Sequence, residues 1–219
     1  MNKKKVRCKM ERLILFFIAS LILISCSKKE IDPEYLKEIK TFRETKDSIF
    51  RYDPDSPFNR DKSVQFTGLK YFEVNPEFVF RSKLYRYALP ETVIVLGTKG
   101  EERTQIKYGY FQFKYKGKTY KLNVYKYPET SIKEGKEFLR NDLAVWFRDL
   151  TTGDETYEVG RYLDVEEEST DPEHIYVLDF NKAFNPYCAY TPIYSCAIPR
   201  EEDFINLRIE AGEKKYHNK

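Results

Sequence analysis

The chain has 219 residues, with 38 Lys and Arg against 35 Asp and Glu and a formal net charge of +3. Six basic residues and one acidic residue fall in the first 25 positions, so the remaining chain has 32 basic against 34 acidic residues. That balance removes the usual argument for a nucleic-acid partner. The remaining length is sufficient for one domain with a core or for two small domains, and 18 Tyr and 16 Phe favour strands.

The N-terminal segment has the pattern of a lipoprotein signal peptide. A basic stretch precedes Leu13–Ile24, which is apolar but only twelve residues long, whereas a membrane-spanning helix needs about twenty. The run ends in Leu23-Ile24-Ser25-Cys26, which resembles the bacterial lipobox. We therefore expect a signal peptide over residues 1–25, cleavage before Cys26, and acyl chains such as palmitate on that cysteine. An uncleaved anchor and a plain secretory signal are the alternatives.

The predicted lipid would be the protein's contact with a membrane. Each buried methylene contributes about 0.8 kcal/mol, so two or three acyl chains hold a protein durably. Residues 26–32 form the expected lipidated tether. By resemblance to enterobacterial lipoprotein sorting, Ser27 rather than Asp after the cysteine is compatible with the outer membrane. The sequence thus predicts a bacterial cell-envelope protein, with a periplasmic or a surface orientation left open.

Two cysteines remain once Cys8 leaves with the signal peptide and Cys26 carries lipid. An oxidising compartment favours a disulfide between Cys188 and Cys196, which would close a nine-residue loop and contribute roughly 2.5 kcal/mol at best. Free buried thiols and half of a metal site are the other interpretations. A tetrahedral metal site would need further ligands, and the chain has 2 His, so neither a metal nor a cofactor is expected.

After the tether, the pattern predicts one helix followed by strands. Asp32-Pro33-Glu34 is typical of a helix start, and an apolar stripe continues to about Phe50. Two prolines indicate a loop over Arg51–Asn59. The acidic segment Glu166–Glu173 is interpreted as an exposed loop. The predicted strands are Phe78–Tyr85, Thr92–Leu96, Tyr110–Tyr115 and Thr119–Tyr125 as a hairpin around Lys116–Lys118, Leu143–Phe147, Ile175–Phe180 and Asn206–Glu210.

These elements predict a mainly β domain of the α+β class. We expect an antiparallel sheet or a barrel-like arrangement, with the N-terminal amphipathic helix packed on it. No repeat or second linker interrupts the chain, so residues 33–214 are interpreted as a single domain. Residues 215–219 are interpreted as a frayed tail.

The final third contains ordered motifs. Phe147–Leu163 fits F-x-D-x-T-x-G-x-x-T-Y-x-x-G-R-Y-L, Leu178–Tyr190 fits L-D-F-N-x-A-x-N-P-x-C-A-Y, and Ala211–Lys214 is A-G-E-K. The order resembles the bacterial and archaeal domain of unknown function 1684 family, from about Tyr35 to Lys214. One departure is Cys196–Arg200, where the family more often has C-P-x-P-P. The resemblance implies a shared domain and no established activity.

Polar residues gather in these motifs and at the ends of the predicted strands. As a scaffold, Arg161 would lock loops by a bidentate pair with a carboxylate such as Asp179. Alternatively, the same residues would line a cleft in which Arg161 binds a small anionic ligand and tyrosines stack on that ligand. Turn dipeptides favour the scaffold. The candidate residues are Arg148, Asp149, Thr152, Thr156, Tyr157, Arg161, Asp179, Asn181, Asn185, Tyr190, Glu213 and Lys214.

An enzyme is the weaker hypothesis. His174 falls in the acidic loop and His217 in the predicted tail, which disfavours a nucleophile with a His base. No phosphate-binding glycine loop or HExxH pair occurs. Asp149 with Asp179 or Glu213 could act as an acid–base pair. The sequence therefore predicts a lipid-anchored binding or structural envelope domain, with a metal-independent carboxylate/Arg enzyme as the alternative.

Overall fold

A computed structural model describes residues 31–128, 132–133, 136–137 and 143–217. The predicted signal peptide, Cys26 and nearly all of the predicted tether lie outside these residues. Within them the protein is mainly β, with antiparallel pairing dominant and one long helix near the N-terminus, as the sequence predicts. The strands form open sheets rather than a barrel. Among these residues, no helix is both long and apolar enough to cross a bilayer.

Helix α1 spans Pro33–Tyr52, close to the predicted bounds. Proline at its first position has no N–H to leave unpaired, and Glu34 in the first turn and Arg51 in the last suit the helix dipole. Its Ile39 and Phe50 are buried. The helix thus begins and ends where local signals place it, and it packs through its apolar side.

A second, short helix corrects the prediction of a loop over residues 51–59. Helix α2 spans Pro57–Arg60, inside that segment and one residue beyond it. The Ser56 side chain accepts a hydrogen bond from the Asn59 N–H, and proline again occupies the first turn. One of the two prolines that indicated a loop therefore starts a helix, because its N–H would be unpaired there in any case.

The strands are arranged in four sheets within the described residues. The strands are β1 Val79–Ser82, β2 Leu84–Leu96, β3 Glu102–Tyr115, β4 Lys118–Lys126, β5 Ile132–Lys133, β6 Lys136–Glu137, β7 Trp146–Asp149, β8 Arg161–Tyr162, β9 Tyr176–Asp179 and β10 Phe204–Ile205. The largest sheet has the order β2-β3-β4. In the other three, β1 pairs with β9, β7 lies between β10 and β8, and β5 pairs with β6.

The β3–β4 hairpin confirms the clearest sequence signal. Its turn is Lys116-Gly117, with φ of 46° and 78°, and two positive φ angles match the twist that tight hairpins need. Phe111 pairs with Leu122 in the antiparallel register, and both side chains are buried. The hairpin therefore supplies one wall of the main core, which also includes Phe113, Val124, Phe147, Leu178, Phe180, Ile205 and Ile209.

The last predicted strand is wrong. Residues 206–210 are not a strand, and β10 lies just before them, parallel to β7. In this segment a side chain, not a neighbouring strand, binds backbone carbonyls. The guanidinium of Arg161 donates to the carbonyl of Ile209 at 3.0 Å and also to that of Ala211. The alternation of apolar and polar residues predicted a strand, but this pattern does not show which groups hydrogen-bond to the backbone.

The prediction of a frayed tail is also wrong for residues 215–217. The side chain of Tyr216 is only 8% exposed and packs on Phe58, with ring centroids 5.1 Å apart. Its hydroxyl accepts from the N–H of Thr67 at 2.8 Å and donates to the carbonyl of Gln65 at 2.9 Å. The chain is therefore held in place beyond the predicted end of the domain at residue 214.

Candidate functional site

Arg161 lies on β8 and is 1% exposed, the most deeply placed cation among the sequence candidates. Its Nη2 donates to Asp149 Oδ2 at 2.7 Å, so the predicted partner Asp179 is wrong and Asp149 takes that role. Burial lowers the pKa of Arg161, while the Asp149 carboxylate opposes that change. With two backbone carbonyls also bound, the guanidinium is enclosed by the protein and is not presented to a ligand.

Asp149 also organises the loop that follows β7. Its Oδ1 accepts from the N–H of Thr151 at 2.6 Å and from the hydroxyl of the same residue. The Thr151 hydroxyl lies 3.0 Å from that of Thr156, and Thr152 accepts from the N–H of Asp149 at 2.9 Å. The predicted site residues Asp149, Thr152 and Thr156 therefore close a tight loop with Thr151, which the sequence analysis did not single out.

Asp179 and Asn181 form a second, separate group at the end of β9. Tyr35 of α1 donates to Asp179 Oδ1 at 3.0 Å, and the N–H of Asn181 donates to the same oxygen at 3.0 Å. The side chain of Asn181 exchanges two hydrogen bonds with the backbone of Asn75, at 2.8 and 2.9 Å. Burial raises the pKa of Tyr35, so its hydroxyl stays protonated and donates. This group fastens the helix to the sheet.

Glu213 is the centre of a third group and is fully buried. It accepts from Lys46 of α1 at 3.0 Å and from the side chain of Asn185 at 2.8 Å, and the Tyr190 hydroxyl also donates to it. Sequence reasoning missed Lys46, which looked like an ordinary solvated lysine of the helix. Burial raises the pKa of Tyr190 well above its usual value.

The remaining candidates also have structural contacts. Arg148 donates to the carbonyl of Arg200 at 3.2 Å, and the amino group of Lys214 lies 4.5 Å from the ring centre of Phe72. Asp149, Asp179 and Glu213 each accept hydrogen bonds from a different set of donors. Each carboxylate of the predicted acid–base pairs is therefore held by donors within the protein, as are most of the other candidates.

Tyr157 differs from most of the other candidates because it lines a cavity of about 640 Å³. That volume falls within the range of small-molecule sites. Tyr190 lines the same cavity. Three lining residues come from the segment predicted to be frayed, where the only sequence signal was an aromatic residue in a polar tail. The full lining is Gly153, Tyr157, Glu158, Cys188, Ala189, Tyr190, Thr191, Pro192, Lys215, Tyr216 and His217.

Cys188 lies at the edge of this cavity and Cys196 lies next to Cys188, and both are free, half-buried thiols. The N–H of Cys188 donates to Cys196 Sγ at 3.3 Å, and the hydroxyl of Tyr157 lies 3.8 Å from Cys188 Sγ. The N–H of Cys196 donates to the Thr98 hydroxyl at 3.2 Å. The disulfide remains a prediction, and no group of three His, Cys, Asp or Glu among the described residues could hold a metal.

The two thiols have different acidities. A hydrogen bond from Cys196 is the main cause that lowers the pKa of Cys188 to about 7, with smaller contributions from Tyr157 and Thr98. The same hydrogen bond, together with burial, raises the pKa of Cys196. Cys196 also lines a second cavity of about 360 Å³ with Arg103 and Ser195. The pair therefore separates two cavities and presents its more acidic thiol to the larger one.

Comparisons with known proteins agree with this arrangement of motifs. A family model described as Protein of unknown function (DUF1684) matches residues 64–214. The chain is similar to the solution NMR structure of an uncharacterized protein from Haloarcula marismortui, with 27% identity and a TM-score of 0.57. That match covers 83% of this chain and 94% of the other. A comparison with curated proteins found no match.

Proposed function

Since this chain belongs to the DUF1684 family of proteins of unknown function, its activity has to be inferred from its own residues, and we propose that it is a lipid-anchored, ligand-binding domain of the bacterial cell envelope. The cavity lined by Tyr157, Tyr190 and Lys215 carries the binding part of this proposal. The lipobox that ends at Cys26 carries the anchoring part.

The lining of the cavity indicates the chemistry of the ligand. Lys215 supplies a cation and Glu158 an anion, while tyrosine rings and Pro192 supply apolar surface. A small zwitterion, such as an amino acid or a short peptide, complements both charges. This ligand replaces the anion expected at Arg161, because that guanidinium is already enclosed by Asp149 and two carbonyls.

The carboxylate/Arg enzyme has less support. General acid–base catalysis needs a group within hydrogen-bond reach of the substrate. Asp149 and Arg161 are both buried and bonded to each other, and Glu213 is occupied by Lys46 and Asn185. A binding role does not require these groups to be accessible, so it agrees better with their burial.

Anchoring is tested by Cys26→Ala in the full chain, expressed in a bacterium. Without the thiol no diacylglyceryl group can be attached, so we expect unprocessed precursor without lipid. The measurement is the intact mass of the membrane-extracted protein. A mature mass and extraction behaviour equal to those of the unsubstituted protein would exclude lipidation at Cys26.

Binding is tested by native mass spectrometry of the detergent-purified protein mixed with free amino acids and dipeptides. We expect at least one of these zwitterions to form a one-to-one complex that Lys215→Ala weakens. Lys118→Ala, in the exposed β3–β4 turn outside the cavity lining, is the matched control and should bind normally. Equal binding by both variants, or no binding by any protein, would contradict the assignment of the cavity.

A further inference from the structure

We propose that Cys188 and Cys196 form a redox-active pair that reduces low-molecular-weight disulfides by thiol–disulfide exchange, with Cys188 as the attacking thiol. This activity goes beyond ligand binding, since it changes covalent bonds in both the protein and its substrate. Four arguments support it: the contact between the two thiols, the donors around them, the cavity beside Cys188, and the difference in acidity.

The fold places the two sulfurs together through different local structures. Cys188 lies in a short 3-10 turn, Tyr187–Ala189, just after Pro186. Cys196 precedes Ala197, which forms an isolated bridge with Gly97. The N–H of Cys188 donates to Cys196 Sγ at 3.3 Å, and the Cys196 side chain is the main cause that lowers the pKa of Cys188. The two cysteines are therefore in direct contact, as an intramolecular disulfide requires.

Both sulfurs also have donors that stabilise negative charge. The Tyr157 hydroxyl donates to Cys188 Sγ at 3.8 Å, Thr98 also lowers the pKa of Cys188, and the N–H of Cys188 donates to Cys196 Sγ. The thiolate is the reactive form of cysteine, and donors of this kind favour it. A buried structural thiol would need no such surroundings.

The cavity gives a substrate access to one sulfur. Cys188 lines the cavity of about 640 Å³, which is sufficient for a small disulfide, and Lys215 and Glu158 can bind its charged ends. Cys196 faces the other, smaller cavity. Attack on a substrate therefore starts from Cys188, and Cys196 lies behind it to complete the reaction.

The acidities agree with this division of roles. The pKa of Cys188 is lowered to about 7, mainly by the Cys196 side chain, which favours the reactive thiolate form. The pKa of Cys196 is raised, which keeps its proton available for the hydrogen bond to Cys188. An attacking thiol is most effective when its pKa is close to the ambient pH.

The chemical steps balance as follows. The Cys188 thiolate attacks one sulfur of the substrate disulfide, the substrate S–S bond breaks, and the first substrate thiolate leaves and takes a proton from water. Cys196 then loses its proton to water and attacks Cys188 Sγ, which releases the second substrate thiolate. The dithiol is oxidised by two electrons and the substrate disulfide is reduced to two thiols. The Cys188–Cys196 disulfide predicted from the sequence is the oxidised product.

The test uses the reduced full chain in detergent, with glutathione disulfide as the probe. We expect two glutathione molecules released for each Cys188–Cys196 disulfide formed, with peptide mapping to separate these cysteines from Cys8 and Cys26. Cys196→Ser should trap a mixed disulfide on Cys188. Cys188→Ser should react at least about tenfold more slowly, because it leaves the less acidic thiol.

Two results would overturn the proposal. One is equal reaction rates for Cys188→Ser and Cys196→Ser, measured on variants whose thermal midpoints show that both are folded. The other is a Cys188–Cys196 disulfide that excess dithiothreitol does not reduce in the folded protein, which is the behaviour of a purely structural disulfide. Zwitterion binding by the unsubstituted protein, measured separately, distinguishes failure of exchange from failure of the proposed binding function.

Discussion

The group around Arg161 and the cavity around Cys188 are built from neighbouring motifs but use polar residues in opposite ways. Around Arg161 the charged side chains are buried and bonded to each other or to backbone, so they stabilise one loop arrangement. Around Cys188 the two thiols are half-buried, and Cys188 borders a cavity. A dense set of polar motif residues is therefore not by itself a site; accessible groups next to a cavity are also needed.

The largest expected effect comes from Arg161→Ala, which tests the scaffold half of this comparison. The substitution leaves Asp149 buried without its cation, which typically costs about 3 to 5 kcal/mol. For a domain of this size, the midpoint of thermal unfolding should fall on the order of ten degrees. Arg208→Ala, on exposed ion pairs, is the control and should change it little. An unchanged midpoint for Arg161→Ala would show that the group is not structural.

Tyr216→Ala sharpens the comparison on the cavity side, where the tail supplies part of the wall. The ring is buried against Phe58, and loss of a buried aromatic side chain should cost about 3 kcal/mol. Tyr216→Phe keeps the ring and loses the hydrogen bonds to Thr67 and Gln65, so about 1 kcal/mol is expected. Denaturant unfolding measures both. If neither variant lowers the free energy of unfolding, the prediction of a frayed tail would be correct after all.

Glu213→Gln tests whether the group beside the cavity belongs to the scaffold. The amide keeps the shape of the side chain but removes the negative charge that Lys46 and Tyr190 contact. Hydrogen bonds to charged groups contribute about 1.5 to 3 kcal/mol, and we expect a loss of that size in denaturant unfolding. Lys46→Met, which removes the cation instead, should show a comparable loss. A stable Glu213→Gln that no longer binds zwitterions would instead assign Glu213 to the ligand site.

The smallest effect on stability, and the most specific one, is expected for Tyr157→Phe. Its hydroxyl makes only long contacts with Cys188, so unfolding should change by less than about 1 kcal/mol. The same hydroxyl lowers the pKa of Cys188, so the pH at which Cys188 is half-alkylated by iodoacetamide should rise from about 7. Tyr162→Phe, which loses a 2.7 Å bond to Ala197, is the matched control. Equal alkylation profiles for Tyr157→Phe and the unsubstituted protein would remove Tyr157 from the site.

Local pattern was enough for much of the fold. The helix that starts at Pro33, the hairpin turn at Lys116-Gly117 and the strand at Tyr176–Asp179 all follow from capping, turn and apolar signals within a few residues. The motifs between Phe147 and Lys214 also indicated the correct family. Such features depend on near neighbours in the chain, so the sequence alone determined them.

Tertiary structure decided the partners of the polar side chains. Arg161 pairs with Asp149 rather than Asp179, and its bonds to the carbonyls of Ile209 and Ala211 replace a predicted strand. The tail joins the cavity because Tyr216 finds a pocket near Phe58, far away in the sequence. A carboxylate or a hydroxyl has the same local pattern whichever donor it meets. Only the packing of distant segments brings one donor within hydrogen-bond distance and excludes water, and that choice separates scaffold from site.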